Sequence, residues 1–240
     1  MLEIGLHVAN EMMLYEGSID ELRALAIFLS ENNTPGYQHL FDFIKLHSSH
    51  YARDIHEHSK VLPETVAQLN QEAQKVRATL GLTQNHVRDA HRRQLCARGG
   101  FWEMRHYFGL LPGVIDDIAQ NQPDHIVCAT LSGSVLGEYI SQDLKMRHGL
   151  QIPVDHIVYK RQDSLPIQGQ VPLNFSPGGD NILIVEDVVQ EPFTTRTTLD
   201  VLRQFRPTIT LSLFALEIDP APLAQEALVY YNTVFTFETE

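Results

Sequence analysis

Cysteine is nearly absent from the chain: Cys96 and Cys128 are the only two among 240 residues. Their separation matches no metal-ligand spacing, and two thiols build no disulfide framework. A zinc module and a stapled secreted scaffold are both excluded, and a reducing, cytoplasmic setting is the expectation. Long apolar runs are missing too. None approaches the roughly 20 residues that a membrane-spanning helix needs, so no membrane association is expected. The opening "MLEIGLHVANEMM" has no basic stretch followed by an apolar core, and does not read as a secretory signal. Positive charge is scarce. Eighteen Lys/Arg against 30 Asp/Glu give a formal net charge of −12. Broad nucleic-acid binding, which needs clustered basic residues against phosphates, is therefore not expected, although "RDAHRRQLCARGG" forms a local basic stretch. A Gly-rich loop followed by Lys-Ser/Thr is absent, which removes the Walker-type nucleotide site. "SGSVLG" lacks the spacing of a Gly-x-Ser-x-Gly elbow.

The composition that remains is ordinary globular material, 43% hydrophobic and 20% charged. It suffices for one large domain or two small ones. Two hydrophobic periods divide it, and we place the boundary near residues 97–105. Residues 1–97 read as a helical N-terminal region. Ser18 and Glu21 have capping-box spacing ahead of an apolar run that should stop before Thr34-Pro35-Gly36. Tyr37, Leu40, Phe41, Ile44, Tyr51 and Ile55 fall on one face of a long helix. Pro63 suits the first turn of the next helix, which Val66, Leu69, Ala73, Val76 and Leu80 line. Thr83 caps a further helix to about Ala97. Short connections between such helices imply a hairpin or bundle.

Residues 98–240 carry short apolar, β-branched runs: "HIVCATL", "VDHIVYK", "NILIVEDVV", "TITLSLFALEI" and "ALVYYNTVFTF". Helical stretches separate several of them. Continuous apolar strands alternating with helices indicate an α/β fold with a parallel sheet covered on both faces. Ligands of such sheets bind beyond the carboxyl ends of the strands. Three strand ends offer chemistry. After Ile126–Ala129, the turn Thr130–Ser134 supplies two serines, a glycine that lets backbone approach closely, and a helix N-terminus suited to an anion. The same pattern equally describes a capped strand–helix corner. After the second run, Lys160 and Arg161 are either phosphate partners or solvated loop charges. After Ile-Leu-Ile-Val come Glu186 and Asp187, a carboxylate pair able to accept hydrogen bonds from vicinal hydroxyls and to hold Mg²⁺.

These corners, in this order, resemble a type I phosphoribosyltransferase over about residues 100–220. "ILIVEDVV" matches the family's apolar strand, two acids and two apolar residues. The resemblance implies a phosphoribosyltransferase-like core. It gives Glu186 and Asp187 the ribose-orienting catalytic role, with Asp187 also the candidate metal ligand for Mg²⁺. It assigns Leu131, Ser132, Gly133 and Ser134 to a pyrophosphate loop, and a basic mobile loop to "YKRQDS" through about Phe175, with Lys160 and Arg161 beside the departing pyrophosphate. The implied activity is transfer of a phosphoribosyl group from phosphoribosyl pyrophosphate to a nitrogenous acceptor. The competing reading is a regulatory or binding module that keeps the fold and holds a nucleotide or ribose phosphate without transfer. Either version can pair as a homodimer.

The sequence departs from the family where the 5′-phosphate should sit. The family has a Thr/Gly-rich loop; here Gln190, Glu191, Pro192 and Phe193 precede "TTRTT". Glu191 places a negative charge there, and Pro192 removes a donor. Three readings stand open. A loop longer by about four residues would use Thr194, Thr195, Thr197 and Thr198 as hydroxyls and Arg196 as an anion clamp. Alternatively, phosphate binding has been lost or altered. In the third, Glu191 repels phosphate and the site holds another ligand.

Histidine is abundant, at twelve residues. His47 and His50 share a helix face, and His56 and His58 flank Glu57, yet no metal motif appears and partly buried or solvated rings are expected. Arg53 and His58 in "RDIHEH" are spaced as in the small helical RNases called HEPN, where a cation and an imidazole act on an RNA phosphate.

Overall fold

The structure is a computed structural model that describes residues 37–58, 61–81, 111–130, 132–162, 165–190 and 192–237. The capping box at Ser18 and the helix capped by Thr83 lie outside the described residues. The chain divides into two compact units, Met1–Arg98 and Gly99–Glu240.

The described part of the first unit is helical: α1 spans Tyr37–His58 and α2 spans Pro63–Thr79. Leu40, Phe41, Ile44 and Tyr51 are buried on α1, as their spacing predicts. His56 and His58 lie in the last turn of the helix. Pro63 takes the first position of α2 because Leu62 before it is extended. The buried Asp54 carboxylate accepts the Leu62 N–H at 2.9 Å, tying the end of α1 to the start of α2.

The second unit opens with α3, Leu111–Asn121. Then follow β1 (His125–Ala129), α4 (Ser132–His148), β2 (Val154–Gln162), β3 (Leu165–Gln170) and β4 (Asn181–Val189). α5 (Pro192–Phe205), β5 (Thr210–Ile218), α6 (Pro222–Leu228) and β6 (Thr233–Phe235) complete it. Six strands form one sheet in the order β3-β2-β1-β4-β5-β6. All pairings are parallel except β2 with β3. The unit is thus an α/β fold on a mixed, mostly parallel sheet.

Alternation along the strands sorts their side chains between two faces. Val127, Ala129, Ile157, Tyr159, Ile182, Ile184, Leu213 and Ala215 pack with Leu199, Val201 and Leu202 of α5 and Ala224 and Ala227 of α6. The alternate residues, such as Cys128, Val185 and Phe214, belong to the opposite face, where α4 packs on β1, β2 and β4.

Three elements differ from the sequence reading. The basic stretch after the second apolar run is strand rather than mobile loop. β2 continues through Lys160 and Arg161 and pairs antiparallel with β3, with a bulge between those two residues. β3 contains Pro166 and Gly169, which break a strand signature but are tolerated at a sheet edge. "ALVYYNTVFTF" is not one strand: α6 takes Ala227 and Leu228, and only Thr233–Phe235 pairs with β5. No helix among the described residues is long and apolar enough to cross a membrane.

Candidate functional site

β1 connects through α4 to β2 on one side, and β4 connects through α5 to β5 on the other. The chain therefore leaves neighbouring strands β1 and β4 in opposite directions. Beyond their carboxyl ends lies the crevice in which open α/β sheets hold ligands.

The first wall of this crevice is the β1–α4 corner. The Thr130 N–H donates to Ile157 O at 3.0 Å, fixing the strand end. α4 starts at Ser132 and carries no acid in its first turn. Its free N–H groups therefore keep their attraction for an anion. The hydroxyls of Thr130 and Ser134 are buried with no hydrogen-bond partner among the described residues, and Ser134 is 2% exposed. Gly133 has a different use from the one its sequence position suggests. A Cβ there would collide with the Val185 carbonyl and crowd the Glu186 Cα. The close approach that glycine permits is thus between α4 and β4 themselves. Leu131 and the Ser132 side chain lie outside the described residues.

The second wall is β4. Glu186 and Asp187 do not end the strand, which runs on to Val189 and pairs with β5 through Val188 and Val189. Successive strand residues point to opposite faces, so the two carboxylates are sent apart. Glu186 follows Ile182 and Ile184 on the α5/α6 face and is 5% exposed. Asp187 is half-buried, and alternation from Val185 would turn it towards the α4 side. Glu186 lies near enough to Tyr231 to act on it. Burial first, and then the Glu186 charge, hold the Tyr231 phenol well above its ordinary pKa.

The third wall is the start of α5. The longer loop that would present a threonine cluster is not there, because α5 begins at Pro192 immediately after Gln190 and Glu191. Proline suits a first helical position, and Leu199 and Leu202 give the turn-by-turn apolar spacing that docks the helix on the sheet. Within it, Thr195 accepts the Tyr231 hydroxyl at 3.1 Å. Thr198 donates to Thr194 O at 2.8 Å and meets the Tyr159 hydroxyl at 2.7 Å. Thr194 and Thr197 are half-buried. Arg196 is exposed, donates to Tyr230 Oη at 3.1 Å and lies 3.7 Å from Glu226 of α6. Its charge is engaged between α5 and α6. Lys160 and Arg161 are placed by their backbone in β2, and their side chains lie outside the described residues.

Tyr159 and Tyr231, which bond to the threonines of α5, carry no spacing signal in the sequence. Only the packing of α5 brings them to Thr195 and Thr198. The same holds under α4, where His156 of β2 and Glu138 are both buried and stand 3.7 Å apart.

For a metal, the described residues contain no group of three or more His, Cys, Asp or Glu. With Glu186 on the other face, Asp187 is the one acid of the pair on the α4 side. That fits Mg²⁺ held mainly by ligand phosphates and water, and does not fit an all-protein cage. Of the α1 histidines, His47 behaves as a packing group. His47 is fully buried and stacks on Tyr51 at a centroid distance of 4.5 Å. Burial, followed by the neighbouring His50, lowers its pKa to about 3. Arg53 lies 3.6 Å from Asp54, and His58 lies 3.7 Å from Glu57.

No protein-family model matches the sequence, and no curated protein matches it. Solved structures similar to the chain include phosphoribosyltransferases. A purine phosphoribosyltransferase from Pyrococcus horikoshii shares 15% identity over 59% of this chain and 87% of its own, with a TM-score of 0.38. A Helicobacter pylori xanthine-guanine-hypoxanthine phosphoribosyltransferase shares 14% over 56% and 82%, with a TM-score of 0.36. An adenine phosphoribosyltransferase from Trypanosoma brucei, solved with AMP, pyrophosphate and ribose-5-phosphate, shares 12% over 53% and 64%, with a TM-score of 0.40.

Proposed function

We propose that the α/β unit is a phosphoribosyltransferase-like domain that binds a phosphorylated ribose or nucleotide in the β1–β4 crevice without transferring it. The observation that carries this reading is the seating of α4. Because Gly133 lacks a Cβ, the first turn of the helix lies against Val185 and Glu186. Free helix N–H groups and the hydroxyls of Thr130 and Ser134 therefore stand beside the strand that bears Asp187. Buried hydroxyls without a partner cost free energy that a ligand oxygen can recover. A phosphate at α4 and a ribose hydroxyl at Asp187 use both features. Mg²⁺, shared between Asp187 and the phosphates, would neutralise part of the ligand's charge.

The non-transferring reading rests on α5. Phosphoribosyl transfer breaks the bond from the anomeric carbon to pyrophosphate as a nitrogen nucleophile bonds to that carbon. The 5′-phosphate must be gripped so that the ribose stays in line. Here the hydroxyls available for that grip at Thr195 and Thr198 are bonded to Tyr231, Thr194 and Tyr159. The transferase reading retains support from Thr194, half-buried on the first turn of α5, with that helix's own N–H groups beside it.

Calorimetric titration of phosphoribosyl pyrophosphate and of nucleoside monophosphates, each with Mg²⁺, into the wild type and Asp187→Asn tests the site. Binding that weakens at least tenfold in the variant supports it, and no binding of either ligand by the wild type overturns it. Pyrophosphate release on adding nucleobases to the loaded protein would replace the non-transferring reading with the transferase.

A further inference from the structure

The two helix ends that flank the crevice differ as seats for phosphate. Resting on the reading of the crevice as a phosphorylated-ribose site, we infer that it selects a ribose phosphorylated at one end only. The phosphate lies at α4, and an uncharged end, bearing hydroxyls or a nucleobase, lies at α5.

The α4 end is built to receive an anion. Ser132, Gly133 and Ser134 open the helix, and each brings a backbone N–H to its first turn. That turn holds no acid. The hydroxyls of Thr130 and Ser134 are buried and have no hydrogen-bond partner among the described residues. Ser134 is 2% exposed, so a ligand oxygen recovers what its burial costs. Of the acid pair on β4, alternation would turn only Asp187 to this side.

The α5 end is built differently. Pro192 at its first position has no N–H to offer. Thr195 accepts the Tyr231 hydroxyl at 3.1 Å. Thr198 donates to Thr194 O at 2.8 Å and meets Tyr159 Oη at 2.7 Å. Arg196 donates to Tyr230 and lies 3.7 Å from Glu226, so its charge is already answered. Carboxylates gather on this side as well. Glu186 is buried and follows Ile184 on the face of α5 and α6. Its partner in β5 is Ala215, which packs on that face, and alternation would turn Glu217 the same way. In sequence, Glu191 stands directly before Pro192. A second phosphate at α5 would therefore meet like charge, with Arg196 committed elsewhere. A hydroxyl or a nucleobase N–H would instead find acceptors there.

Calorimetric titration into the full-length protein with Mg²⁺ tests the selection. The probes are ribose-5-phosphate, ribose-1-phosphate and ribose 1,5-bisphosphate. The bisphosphate should bind about tenfold less tightly than the better monophosphate, or worse, because like charges are brought together at α5. Ser134→Ala should weaken the monophosphates about tenfold, the effect of one hydrogen bond to a charged group. The double variant Glu191→Gln, Glu217→Gln should narrow the gap between monophosphate and bisphosphate, which a general loss of stability would not do. A bisphosphate that binds as tightly as the monophosphates, and still needs Asp187, overturns the inference and leaves the crevice reading standing. So does a gap unchanged in the double variant, or monophosphate binding indifferent to Ser134→Ala. Binding of none of these probes by the wild type overturns the crevice reading and the inference together.

Discussion

Gly133 and Gly113 are both helical glycines, yet their surroundings differ. Alanine is favoured over glycine in a helix by up to about 1 kcal/mol through backbone entropy. At Gly113 of α3 an added Cβ meets nothing within 4 Å, so Gly113→Ala should stabilise by about that amount. At Gly133 the added Cβ meets the Val185 carbonyl, which is strand backbone and cannot swing aside as a side chain would. Overpacking of this kind costs about 1–3 kcal/mol, which exceeds the entropy gain. Gly133→Ala should therefore lower the melting temperature while Gly113→Ala raises it. Equal shifts in one direction would show that α4 is not seated on β4. Tyr231 supplies a second residue-scale prediction. Burial and the Glu186 charge raise its pKa, so the folded state holds the phenolic proton more tightly than the unfolded chain. The associated stability is complete below about pH 10 and is lost as the pH rises past it. Tyr231→Phe should flatten the alkaline limb of the stability profile. Tyr139, raised by burial and then by Asp143, still contributes in that variant, so the limb becomes shallower without vanishing.

Elements were legible in the sequence to the degree that their pattern matched their surroundings. β1, β4 and β5 are buried between helices, and interior parallel strands read as continuous apolar runs. β3 was not legible, because an edge strand tolerates the proline and glycine of "LPIQGQ", residues that otherwise argue for a loop. The start of α5 was left open for a related reason. The family pattern asked for a loop after the acids, while Pro192, Leu199 and Leu202 already had the spacing of a docked helix. Facing of the acids could not be read either. It depends on β4 continuing to Val189, which its pairing with Ile218 of β5 decides. α1 carries its own prediction. His47 is neutral and buried in the fold, with its pKa lowered from 6.5 to about 3 by burial and His50. The unfolded chain takes up a proton below about pH 6.5 that the fold refuses, so the stability contributed above that pH falls away as the pH drops towards about 3. One such proton is worth about 1.4 kcal/mol per pH unit. His47→Phe keeps a ring against Tyr51 and removes the titration. Its helical stability, followed by circular dichroism, should vary less with pH across that window. An unchanged slope would place the acid sensitivity elsewhere.

At the scale of the whole molecule, charge sets a condition on the proposed ligand. Residues 99–240 hold 18 Asp/Glu against 8 Lys/Arg, so most of the negative charge lies in the unit that bears the crevice. Asp187, Glu217 and Asp219 stand at the carboxyl ends of β4 and β5, whereas Arg196 is drawn to Glu226 and Tyr230. A phosphorylated ligand thus approaches against the field of the domain, and the α4 N-terminus offers only about half an elementary charge in return. Two consequences separate this molecule from a protein that captures phosphate with a basic pocket. Removing Mg²⁺ with a chelator should weaken phosphoribosyl pyrophosphate binding at least tenfold, because the ion carries the positive charge that the side chains do not. In chelator, the residual affinity should hold or rise as salt increases towards physiological strength, because screening relieves a net repulsion. A basic site shows the reverse, losing affinity with salt. Titrations at low and physiological ionic strength, with and without Mg²⁺, distinguish the two. Steep loss of affinity with salt in chelator would mean that Lys160 and Arg161 dominate the site after all, and would return the transferase reading to first place.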